Sequence, residues 1–137
     1  MSGLLPAVVI LAALLTPLPC AAECPAAADG FARLSAPDAE IAYRLAPDTP
    51  KVGQFFTMDV IACRAPGNDT VQTLVLDAQM PAHGHGMNYR PTTAQTGPSQ
   101  FKVSGLMLHM PGRWQLTVDL VQGNRRTRLA RDIDLTP

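Results

Sequence analysis

The stretch Met80-Pro81-Ala82-His83-Gly84-His85-Gly86-Met87 places two imidazoles and two thioethers in one glycine-rich segment. The chain has three histidines, and the remaining one lies in Leu108-His109-Met110-Pro111-Gly112. Every histidine is therefore close to a methionine and to a proline or glycine that shapes the backbone. Imidazole with thioether is the donor set that copper prefers, whereas zinc rarely takes a thioether and magnesium and calcium want oxygen. Thioethers favour Cu(I) and imidazoles accept Cu(I) or Cu(II), so such a set holds copper without thiols. The expected ligands are His83, His85, Met87 and His109.

Each of these residues has a plainer reading. His83 and His85, at i and i+2, share a face only if the segment is extended; solvated histidines in a glycine loop would look the same. Met87 follows Gly86 and is the first choice of sulfur, while Met80 and Met110 precede prolines at strand ends and read as cover for the core. Trp114 reads as a core anchor with its indole N–H satisfied. There is no nucleophile elbow, no His-Glu-x-x-His helix and no phosphate-binding glycine loop before a helix, so an enzyme is not expected.

These residues need a scaffold, and the start of the chain suggests where it works. Leu4 to Leu15 is an apolar run without charge, too short to span a bilayer, and small residues at Cys20 and Ala22 fit a signal-peptidase site. A helical signal peptide is expected over residues 1–22, with the mature chain beginning at Glu23 in the periplasm or outside the cell and not inserted in the membrane. Removing 22 residues from 137 leaves 115, enough for one domain with a real core. With 11 basic and 11 acidic residues the charge is balanced, which argues against nucleic acid as a partner. If Cys20 leaves with the signal, Cys24 and Cys63 remain as an even pair, and in an oxidising compartment their default state is a disulfide.

The body reads as strands. Ile41 to Leu45 alternates, Ala46-Pro47-Asp48-Thr49-Pro50 turns the chain, and further strands are expected over Phe55–Cys63, Val71–Met80, Phe101–Met110 and Trp114–Val121. Leu74, Leu76, Ala78 and Met80 fall on one face, as do Trp114, Leu116, Val118 and Leu120. Gly105 reads as a bulge that re-aims its strand. Arg125, Arg126, Arg128 and Arg131 surround a Gly123-Asn124 turn and read as a solvated hairpin tip. The resulting architecture is an all-β, immunoglobulin-like two-sheet antiparallel sandwich over residues 41–137, preceded by an N-terminal arm over 23–40. His83, His85 and His109 meet only if the ends of two strands lie at the same pole.

The order Pro50-Lys51-Val52-Gly53-Gln54-Phe55, then Met80 to Met87, then Phe101-Lys102-Val103 and Met110-Pro111-Gly112-Arg113-Trp114-Gln115-Leu116 resembles the YtkA-like family. Its members are exported or membrane-anchored immunoglobulin-like domains, similar to the FixH domain associated with assembly of copper-dependent oxidases. The resemblance covers roughly Ile41 to Leu135 and implies the sandwich; copper is pointed to by the ligands more than by the family. The expected function is copper capture or delivery, with a copper-donating or copper-receiving envelope protein as partner. The competing reading is a metal-free interaction module that offers its loops to an envelope protein or small ligand.

Overall fold

The computed structural model describes residues 29–65 and 70–137. The expected signal peptide and Cys24 lie outside them. Nine strands follow one another: β1 (Ala32–Ala36), β2 (Ala39–Ala46), β3 (Phe55–Arg64), β4 (Thr73–Met80), β5 (His85–Gly86), β6 (Thr92–Gly97), β7 (Gln100–Met107), β8 (Gly112–Gln122) and β9 (Arg125–Leu135). One sheet has the order β1-β2-β3-β7-β6 and the other β5-β4-β8-β9, every pairing antiparallel. The protein is an all-β, two-sheet sandwich.

Alternation puts the core between the sheets. On β4, Leu74, Leu76, Ala78 and Met80 are buried and the residues between them exposed. Trp114, Leu116, Val118 and Leu120 of β8 are buried beside them, and Ile41, Tyr43, Phe56, Met58, Val60, Phe101 and Val103 face them from the other sheet. Full burial of each large apolar side chain stabilises the fold by about 1.5 to 3 kcal/mol.

Two sequence expectations are corrected. The strand expected over Phe101–Met110 ends at Met107, leaving Leu108 to Pro111 to cross from one sheet to the other. Within it, Phe56 pairs with Leu106 but Met58 pairs with Val103. One extra residue therefore sits in β7 around Ser104 and Gly105, and Gly105 has φ 79°, the left-handed geometry of a glycine bulge. The buried face consequently switches from Phe101 and Val103 to Leu106 and Leu108, where strict alternation gave opposite faces. Second, β1 lies inside the stretch read as an arm; it forms a hairpin with β2, pairing Ala36 with Ala39. The four arginines are exposed beside the β8–β9 turn, as read, and three of them hold contacts there. Arg128 donates two hydrogen bonds to Asp119, at 2.7 and 2.8 Å, Arg126 approaches the same carboxylate at 3.5 Å, and Arg131 lies over the Tyr43 ring.

Candidate metal centre

β4 and β7 end at the pole where β5 and β8 begin, so the turn carrying His83 and the crossing segment carrying His109 meet there. Antiparallel pairing explains the first half: Met80 stands opposite His85 and Gln79 opposite Gly86. The turn between them is closed by the N–H groups of His83 and Gly84, which both donate to the Met80 carbonyl, at 3.1 and 3.0 Å. Gly84 takes φ 66°, open to glycine at little cost. His83 and His85 are thus not neighbours on one extended face; the turn folds one imidazole back toward the other. The second half is fixed by the Gly53 N–H, which donates to Leu108 O at 2.9 Å.

The result is a row of rings. His83 and His85 have centroids 5.8 Å apart, and His85 and His109 5.3 Å. Trp114 forms the wall behind them, edge-on to His85 at 5.9 Å and to His109 at 5.3 Å. It is fully buried, and its Nε1 donates to Met110 O at 3.0 Å, so the expected anchor also borders the histidines. That second role has no sequence signature, because a Trp heading a strand looks the same whatever packs against it.

Two nitrogen positions bear on ligation. With its proton on Nδ1, His85 donates to Gly86 O at 3.3 Å, which leaves Nε2 as a free lone pair, as in many metal-bound histidines. His109 Nδ1 is buried without a hydrogen-bond partner. An orphaned buried polar atom costs about 1 to 3 kcal/mol.

Among the described residues, no group of three or more His, Cys, Asp and Glu side chains is poised as it stands to hold a metal ion. Each adjacent pair of rings is nevertheless spaced as two imidazoles on one ion would be. A ring centroid lies roughly 3.2 Å from a metal bound at about 2.0 Å, so two imidazoles on one ion at near-tetrahedral angles stand about 5 to 6 Å apart.

The methionines differ in placement. Met80 is buried, at 2% exposure, while Met87 and Met110 are half-buried and pack against the core. The Met87 N–H donates to Ala78 O at 3.2 Å, one step along the ladder from the Met80–His85 pair. Cys63 lies near the end of β3 and is half-buried.

No family model matches the chain, and no curated protein matches it. Among solved structures it is similar to a crystal structure of a DUF4426 family protein from Pseudomonas aeruginosa PAO1, with a TM-score of 0.52 and 10% identity over 80% of this chain and 97% of that one. At this identity the likeness speaks to the sandwich alone.

Proposed function

We propose that this is an exported copper-binding protein that captures or delivers copper at the pole of its sandwich. The imidazoles of His83, His85 and His109 would hold the ion and a methionine thioether, Met87 in the sequence reading, would complete the set. The observation that carries the proposal is the orphaned Nδ1 of His109 in a row of three imidazoles spaced at 5.8 and 5.3 Å. A bound cation satisfies that lone pair. The donor set fits copper, which takes imidazole and thioether together.

Exposure suits exchange. His83 is exposed and His85 half-buried, so a partner's ligands can approach from solvent while His109 and Trp114 stay fixed. In an oxidising compartment a thiol-free site survives, and the Cys24–Cys63 pair would be spent as a disulfide tying the chain's start to β3. The YtkA-like resemblance agrees with export and with this scaffold.

One observation favours the metal-free module. Phe55 and Tyr89, both exposed, stack edge-on at 5.3 Å near this pole, as a docking surface would. Titration with Cu(I) under anaerobic conditions and with Cu(II) in air, each against a chromophoric chelator, separates the readings. Trp114 is the chain's single tryptophan and gives an independent fluorescence signal. The copper reading expects one equivalent bound with quenching, and loss of both in His83→Ala/His85→Ala; no competition with the chelator in either oxidation state would leave the module.

A further inference from the structure

Resting on the copper reading, we propose that the sulfur ligand is Met80 rather than Met87 and that the ion carried is cuprous. The argument starts from the ladder. In the sheet order β5-β4-β8, Met80 of β4 is flanked by His85 of β5 and by the first residues of β8. It is directly paired with His85, and directly opposed residues have Cβ atoms about 4.5 to 5.5 Å apart on one face.

The rings of His85 and Trp114 come within 5.9 Å of each other although their strands lie on either side of β4. The two rings therefore lean toward the line of β4, on the strand where Met80 is buried and His85, its ladder partner, half-buried. The far end of the Met80 side chain is also located. An ideal Cβ built on Gly112 would stand 2.9 Å from Met80 Cε, so the thioether terminus lies against the backbone at the start of β8. Trp114 is two residues further along, and its indole also meets His109, at 5.3 Å.

Met80 thus underlies the His85–Trp114–His109 cluster. Met87 stands one ladder step away, beside Ala78, where it borders a groove of about 520 Å³ with Val75, Tyr89 and Pro91.

A buried thioether under a row of imidazoles discriminates between oxidation states. Sulfur is a soft donor that stabilises Cu(I), while Cu(II) is served by imidazole nitrogen and water at tetragonal positions. Ions entering through exposed His83 would be retained at depth only as Cu(I).

The test compares the full-length protein with Met80→Leu and Met87→Leu, substitutions that keep apolar volume. Cu(I) and Cu(II) affinities are measured by chelator competition. The proposal expects Met80→Leu to lose Cu(I) affinity by about tenfold or more while Cu(II) affinity changes by less than about threefold, with Met87→Leu unchanged in both. A Met80→Leu protein that keeps Cu(I) affinity overturns the sulfur assignment and leaves the copper reading intact. A wild-type protein that takes up neither ion overturns both.

If Met80→Leu does not fold, X-ray absorption on Cu(I)-loaded Met87→Leu/Met110→Leu decides. A sulfur scatterer at about 2.3 Å supports Met80; a shell of nitrogen alone overturns it.

Discussion

Replacing His109 by Phe should make the empty protein more stable and the copper-loaded one less so. His109 Nδ1 is buried without a hydrogen-bond partner, a loss of about 1 to 3 kcal/mol that a phenyl ring does not suffer. The ring contacts with Trp114 and His85, at 5.3 Å each, are retained by Phe, and aromatic pairs of this kind contribute about 0.5 to 1.5 kcal/mol beyond their buried area. Phe is slightly larger than His, and overpacking opposes part of the gain. The net expectation is stabilisation of the empty protein by about 1 kcal/mol, roughly a 4 °C rise in Tm for a domain of this size.

Copper reverses the order. A ligand at a thousand times its Kd stabilises the native state by about 4 kcal/mol, and the variant, deprived of a ligand, should lose most of that increment. Calorimetric unfolding of both proteins, with and without Cu(I), reads all four states. A Phe variant destabilised when empty by 1 kcal/mol or more, with its copper increment intact, would refute the reasoning, because it would mean that Nδ1 is well partnered and not a ligand.

Gly112 has φ 119°, and Gly112→Ala should cost about 1 to 3 kcal/mol from backbone strain, with a smaller addition because Met80 Cε must retreat from the new methyl group; urea denaturation within about 0.5 kcal/mol of wild type would count against that geometry. The Arg128 hydrogen bonds, aided by the nearby charges of Arg128 and Arg126, hold the Asp119 carboxyl below its ordinary value of 3.8 despite its burial. That contribution is full above pH 3.8 and is lost as pH falls through the lower folded value. Asp119→Asn should thus be about 1 kcal/mol less stable than wild type at neutral pH, with the gap closing in acid; a gap that widens in acid would contradict the assignment. Cys24 and Cys63 should resist alkylation until reduced, and reduction should cost roughly 2 to 4 kcal/mol; free thiols in the air-exposed protein would remove the bridge.

Much of the sandwich was legible because its strands bury one face. Period-2 alternation over Leu74, Leu76, Ala78 and Met80, and over Trp114, Leu116, Val118 and Leu120, survives intact as buried residues. Where the backbone breaks that period, alternation alone fails. The bulge read at Gly105 is present and exchanges the faces of β7, whereas β1, half-exposed at a sheet edge, has no alternation to read.

The meeting of His83, His85 and His109 was expected from Pro81 and Pro111 ending strands at one pole; the rings adjoin there, but only Pro81 follows a strand end, since β7 stops at Met107 and Pro111 stands just before β8. Two features of the site had no signature in the sequence: the wall formed by Trp114 and the position of Met80 beneath the rings. Both depend on which strand lies between which, and strand order in a sheet is set by long-range pairing.

The most direct test of the account is the nitrogen NMR spectrum of protein labelled in its three histidines, followed as diamagnetic Cu(I) is added. The account predicts that the imidazole signals of His83, His85 and His109 move together and are complete at one equivalent. Shifts confined to His83 and His85, with His109 unmoved, or no shift at all, would contradict a single copper ion shared across the pole.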